Sequence, residues 1–279
     1  KKHSIDIFHG LSNELPDGIH NTDVPSVVTI HDLVFMRYPD FYKPVDRNIY
    51  YRKVKYACQS ATRIIAISNQ TKEDIVHYFK VSPEKIEVVY QAVGPVYFEP
   101  QDTTGLRQKY ELPEKFILCV GTIEHRKNQR TLLTAIKSEK IDTPVVFVGK
   151  PTMYASDLLK FISENNMDNQ VKFLSNIPEN ELAGLYQIAE LSVYISVFEG
   201  FGLPVIEAMA CGCPVVTSNV SCLPETAGGA ALLCDPQDEK DVGDKIKQLL
   251  EKRETKNYFI EKGKERAKIF HPENYSKKL

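Results

Sequence analysis

Glu199 and Glu207 stand at the two ends of a short stretch, Glu-Gly-Phe-Gly-Leu-Pro-Val-Ile-Glu, which breaks at two glycines and then runs into apolar residues. Two nearby carboxylates can serve as general acid and general base, the equipment of a glycoside hydrolase. Beside an anion-binding turn they suit another task, accepting hydrogen bonds from sugar and ribose hydroxyls. Gly200 and Gly202 lack Cβ atoms, so the backbone through Phe201 can approach a ligand and leave amide N–H groups free at the start of a helix opening near Leu203. Glu207 lies one helical turn beyond Leu203 and so can face the same cleft as Glu199. Read from this segment alone, the acids also fit a plainer role as solvated charges at a helix end.

A second group lies upstream. An apolar run at 116–120 is followed by Gly121-Thr122 and then by His125-Arg126-Lys127-Asn128, which opens a helical pattern. A helix amino terminus attracts anions, and cations are disfavoured there unless something negative offsets them. A diphosphate held by Arg126 and Lys127 meets that condition; the alternative is a pair of solvated first-turn charges.

Such groups need strands and loops to hold them. Short β-branched runs predict strands at 5–8, 27–30, 63–67, 86–90, 116–120, 145–148, 171–174, 191–195, 214–217 and 231–233. Helical periodicity falls between them, at 46–59, 70–79, 128–137, 153–165, 179–187, 203–210 and 241–252. Alternation of this kind predicts parallel α/β sheets, whose ligands sit beyond the carboxyl ends of the strands. The rhythm breaks once, where Gly94, Pro95, Pro100 and Gly105 interrupt regular structure. The expected layout is a first domain at 1–95, a linker at 96–113, a second domain at 114–268, and the start of a closing helix at 269–279. Only about four strands precede the break, so the first sheet reads as incomplete, with an amino-terminal piece absent.

Composition narrows the ligand. The 279 residues are 42% hydrophobic, and 35 basic against 37 acidic residues leave a net charge of -2, without the basic excess that nucleic-acid binding shows. Cysteines 58, 119, 211, 213, 222 and 234 form no C-x-x-C pair and lie largely in apolar runs, which suits reduced thiols and a cytoplasmic protein. Cys211-Gly-Cys213 reads as packing rather than as half a metal site. No apolar stretch reaches the roughly 18 residues needed to span a bilayer. The basic pattern at 46–59, with Arg47, Arg52, Lys53 and Lys55 among tyrosines and aliphatics, is open to peripheral contact with an anionic membrane or to a half-buried helix with a solvated face.

Taken together, the run from Glu199 to Pro236 and the Arg-Lys-Asn segment resemble the donor-binding domain of retaining GT-B glycosyltransferases of family 4 (GT4). "SVVTIHDLVFMRYPDFY", "RIIAISNQTKEDIV" and "KIEVVYQAV" resemble the later half of the acceptor domain. The resemblance implies two Rossmann-like domains, the first incomplete, facing a cleft. It implies that Glu199 contacts the transferred sugar, that Gly200, Phe201, Gly202 and Leu203 lie along sugar and phosphate, and that Glu207 holds the ribose. Arg126 and Lys127 match the pair gripping the diphosphate beside Gly121 and Thr122, and His31 matches a histidine beside the donor sugar. Ser68, ending the next strand, is a weaker candidate.

The implied activity is hexosyl transfer, with mannose favoured around "TIHDLVFMRYP", from a nucleoside-diphosphate sugar to a saccharide or lipid-linked acceptor in polysaccharide biosynthesis. No cofactor or metal is expected, since the chain contains no D-x-D motif and its cations can replace an ion. A sugar-nucleotide epimerase and a non-catalytic nucleotide-sugar-binding module are the other readings. The pattern departs from the family in two places: its amino-terminal glycine-rich loop has no counterpart, and Gln91-Ala92 replaces an asparagine-glycine pair.

Overall fold

The computed structural model describes residues 5–275. Contacts divide it into two units. The first runs to Gln91 and includes Glu199–Phe201; the second holds Ala92–Phe198 and the residues from Gly202 onward.

In the first unit, β1 (Phe8–Gly10), β2 (Ser26–Ile30), β3 (Arg63–Ala66) and β4 (Ile86–Val88) form a parallel sheet in that order. The helices α1 (Val34–Arg37), α2 (Pro44–Ser60) and α3 (Asn69–Phe79) connect its last three strands. Val28, Ile30, Ile64, Ala57, Cys58 and Ile75 are fully buried in its core. The strand expected at 5–8 starts only at Phe8, leaving Ile5 and Ile7 exposed. Pro25 explains the shift: it has no N–H to donate, so Phe8 N bonds to its carbonyl and the ladder begins at Ser26. Ser68 is buried and caps α3, its Oγ accepting from Thr71 N.

The second unit opens with α4 (Leu106–Lys109) and continues through β5 (Ile117–Val120), α5 (Gln129–Ser138), β6 (Val145–Val148), α6 (Tyr154–Glu164), β7 (Val171–Leu174) and α7 (Glu179–Ile188). Then come β8 (Leu191–Tyr194), α8 (Leu203–Ala210), β9 (Val215–Ser218), α9 (Leu223–Ala227), β10 (Leu232–Cys234), α10 (Glu239–Glu251), α11 (Arg253–Ala267) and α12 (Pro272–Tyr275). The sheet is parallel, in the order β10-β9-β8-β5-β6-β7. Every residue of β5, β6, β8 and β9 is buried, which is why these strands read as continuous apolar runs instead of alternating ones. Strand order reverses between β5 and β8, so the chain leaves them in opposite directions along the sheet, and their carboxyl ends form the switch point beside which sheets of this kind bind ligands.

Helices α1, α4, α9 and α11 escape the periodicity reading, and α1 and α4 have only four residues each. The five residues of α9 are too few to show a period. In α11 only Gly263 and Ala267 are buried, so it has no apolar stripe; a Cβ on Gly263 would sit 3.2 Å from Met209 Cγ on α8, and the small residue permits that approach.

The stretch read as a linker, 96–113, counts with the second unit and is packed on it. Leu106 is buried with its Cδ1 over Gly184, Gln101 N bonds to Gln187 Oε1 at 3.0 Å, and Tyr110 Oη donates to Glu181 Oε2 at 2.5 Å. Its prolines and glycines break regular structure without freeing the chain, because side chains rather than ladders hold it. Of the tail at 269–279, a 3-10 turn ends at Phe270, whose carbonyl accepts from Val93 N at 3.0 Å; α12 follows, and 276–279 lie outside the described residues.

Phe147, fully buried on β6 and stacked on Phe173 at 5.2 Å between ring centroids, is a sensitive point of the larger core. Phe147→Ala is expected to destabilise the second unit by about 3–5 kcal/mol, read from its urea transition; a loss under about 1 kcal/mol would contradict this packing.

Candidate functional site

The segments after β5 and β8 are fastened to each other. Val197 N donates to Arg126 O at 2.9 Å, and Arg126 Nη1 returns a bond to Phe198 O at 3.0 Å. Asn128 adopts the left-handed conformation, φ 61°, which asparagine tolerates better than most residues. Its Nδ2 donates to Pro236 O at 2.7 Å and Ile195 O at 3.3 Å, pinning the turn to the end of β8. Arg126 and Lys127 were expected in the first turn of a helix. They lie instead in a 3-10 turn, His125–Lys127, and α5 begins only at Gln129, because the left-handed Asn128 cannot continue a helix. The offsetting negative charge is internal: Arg126 Nη2 pairs with Glu124 at 2.7 Å. Thr122 contributes its carbonyl, which accepts from Gln129 Nε2 at 2.9 Å.

Lys127 turns toward β8. Its Nζ lies 2.5 Å from the hydroxyl of Tyr194 and 4.8 Å from that ring's centroid. Gly121 has φ 140°, a conformation that favours glycine, and a Cβ there would lie at ordinary contact distance from both, 3.5 Å from Lys127 Cε and 3.7 Å from Tyr194 Cε2. Behind it, a Cβ on Gly149 would fall 1.9 Å from Gly121 O, so the exits of β5 and β6 touch backbone to backbone. Gly202, at φ 93°, precedes α8, which runs over the predicted 203–210 from Leu203. Buried Thr217 and Ser218 on β9 donate to the carbonyls of Tyr194 and Ser196, both at 2.7 Å, and so fix the end of β8 where its ladder stops.

On α8, Glu207 is half-buried and its Oε2 accepts from the hydroxyl of Tyr186 at 3.2 Å. Burial first, then the nearby charge of Glu179, pushes the Glu207 carboxyl up to about 7, against the opposing hydrogen bond from Tyr186. A group so placed changes charge near neutrality.

The remaining candidates count with the first unit. His31 is half-buried at the end of β2; its Nε2 donates to the Leu11 carbonyl at 2.9 Å and its Nδ1 lies 3.4 Å from Gln91 Nε2. A carbonyl can only accept, so Nε2 carries a hydrogen, and the contact orients the ring. Glu199 is 7% exposed rather than a solvated helix-end charge, and Phe201 is buried and stacked on Tyr90. Gly200 lies against the His31 backbone: a Cβ would come within 2.1 Å of His31 O.

Thus Gly121, Thr122, Arg126, Lys127, Gly202 and Leu203 are positioned by the ends of β5 and β8, Glu207 by α8 against Tyr186, and His31 and Glu199–Phe201 within the first unit. Sequence reasoning missed Tyr186 and Tyr194, met Asn128 only as part of the Arg-Lys-Asn segment without its left-handed turn, and met Gln91 only as a departure from pattern. The signals were thin: both tyrosines sit inside apolar runs, and only an asparagine between a strand and a helix hints at a left-handed turn. The Cys211 thiol donates to Tyr97 O at 3.4 Å and burial pushes it up to about 12, as in a packed cysteine.

Residues 102–266 match the family model described as glycosyl transferases group 1, and residues 1–95 match that of glycosyltransferase family 4. The chain is 32% identical over 276 residues to O-antigen chain mannosyltransferase B of Escherichia coli, an alignment covering 96% of this chain and 71% of that protein. Among solved structures, sucrose-phosphate synthase from Thermosynechococcus elongatus superposes with a TM-score of 0.83 at 23% identity, covering 99% of this chain and 72% of that one. HepE of Anabaena, in complex with UDP and glucose, gives 0.78 at 20% identity, over 91% of this chain and 70% of that one. At such identities these likenesses speak for the fold, which is GT-B. The chain belongs to the glycosyl transferases group 1, and its residues 1–95 match the glycosyltransferase family 4 model.

Proposed function

We propose that the protein transfers a hexose, mannose in the favoured case, from a nucleoside-diphosphate sugar to a saccharide or lipid-linked acceptor, with retention of anomeric configuration. One observation carries the reading: Lys127 and Arg126 are fastened to the end of β8 beside two glycines, Gly121 and Gly202, where backbone can approach a ligand. Cleaving the anomeric bond drives negative charge onto the distal phosphate, and fixed cations and amides oppose that charge at no cost in reorganisation. In this reading they stand in for a divalent cation. Glu207 takes the ribose hydroxyls, while Glu199 and His31 take the transferred sugar, the His31 ring orienting it rather than exchanging protons. The leaving phosphate deprotonates the acceptor on the same face. The name of the Escherichia coli relative, an O-antigen chain mannosyltransferase, supports mannose and polysaccharide assembly.

The second expected partner is a membrane surface bearing the acceptor. The first two turns of α2 are exposed throughout, and Phe41, Val45, Ile49 and Tyr50 are large apolar groups 43–70% exposed there, beside Lys43, Arg47 and Arg52. Flotation with phosphatidylglycerol vesicles should recover the wild-type protein and lose a Val45→Asp, Ile49→Asp variant. Equal recovery of both would remove α2 from the reading.

Turnover of GDP-, UDP- and ADP-sugars should depend on acceptor and persist in EDTA, with Lys127→Ala lowering kcat about 100-fold. Donor conversion without acceptor would indicate an epimerase, and donor binding without transfer to any acceptor a binding module. Because the ionised Glu207 carboxylate is the stronger acceptor for hydroxyls, donor affinity should rise as pH passes from 6 to 8 through about 7. Glu207→Gln should bind weakly at both ends of that range; an unchanged pH profile in this variant would unseat Glu207.

A further inference from the structure

We infer that Tyr194 is a positioning residue for Lys127, setting where its ammonium meets the distal phosphate of a nucleoside diphosphate; the inference rests on the donor-site reading above. A lysine ammonium carries three donors and no acceptor, so the 2.5 Å contact runs from Lys127 Nζ to the Tyr194 hydroxyl oxygen. The ring is 3% exposed, and Thr217 Oγ1 holds its backbone carbonyl at 2.7 Å, so this acceptor is rigid. A lysine otherwise places its charge loosely, at the end of a flexible four-carbon stem.

The location of the hydroxyl gives the contact its meaning. Ring carbons Cε1 and Cε2 flank the hydroxyl-bearing carbon. A Cβ on Gly202 would meet Cε1 at 3.7 Å, and a Cβ on Gly121 would meet Cε2 at 3.7 Å. The phenol end of Tyr194 therefore lies between the two glycines, one from each turn at the switch point of the sheet. The ring forms a floor at that point, and its oxygen, on a fully buried strand, fixes the charge of Lys127 above it. A strand residue of similar size without the hydroxyl would keep the floor and lose the anchor.

The test compares a diphosphate with the monophosphate that lacks the distal group, using GDP against GMP and UDP against UMP, by calorimetry on the whole chain. Tyr194→Phe keeps the ring, and is expected to weaken diphosphate binding about tenfold while leaving monophosphate binding unchanged. Lys127→Ala should abolish the diphosphate preference, and the double variant should bind the diphosphate no more weakly than Lys127→Ala alone. If Lys127→Ala loses the preference and Tyr194→Phe retains it fully, the positioning role is overturned and the donor site stands. If Lys127→Ala itself retains the preference, the donor reading beneath it fails. Equal weakening of both nucleotides in Tyr194→Phe, with a lowered Tm, would make Tyr194 a packing residue and refute the inference.

Discussion

The parallel pairing of β5 with β8, Ile117 opposite Leu191 and Leu118 opposite Ser192, is the constraint on which the larger unit depends. These strands are far apart in sequence, yet their exits must emerge side by side because a parallel ladder aligns strand ends. One crossover runs outward through β6 and β7, the other through β9 and β10. The connections that follow β5 and β8 therefore leave the point where the two exits meet in opposite directions. Local features then refine what topology makes available: the left-handed Asn128, the glycines at 121 and 202, and the lysine that reaches back toward the strand.

Burial gives that arrangement its stiffness and brings a polar problem with it. When a strand ends inside a protein, its last carbonyls lose their ladder partners and cannot reach water. Thr217 and Ser218 answer this for β8 with side-chain donors, so hydroxyl residues that look out of place in an apolar sheet are what allow it to stop on schedule. Glu207 is the opposite case. Its partial burial beside Glu179 works against its charge, and a carboxylate held under such conditions is poised for a partner that offers hydrogen-bond donors.

Much of this was legible in the amino-acid order, for reasons that can be named. Val145–Val148 and Val171–Leu174 fall where β-branched runs placed them, and α8 begins at Leu203 because Gly202 and Pro204 bracket its start. Ile5 and Ile7 misled because β-propensity does not know whether a neighbouring strand has an N–H to give, and Pro25 has none. The polar α11 was hidden because small residues rather than an apolar stripe hold it. At the site, the charged and glycine positions were found from type and spacing. The aromatic groups that orient them were not, since Tyr186 and Tyr194 inside hydrophobic runs look like any core residue until the fold brings a glutamate or a lysine to their hydroxyls.

Gly149 and Gly121 meet with no side chain between them, which bears on how the chain could be recombined with related sequences. The β6-to-α6 connection is an inviting place for a chimaera, since 150–153 are exposed. Yet a graft bringing in any larger residue at 149 would push directly on the peptide that opens the neighbouring turn. A workable splice should leave this pair together on the same parental fragment and begin the exchanged material downstream of Lys150.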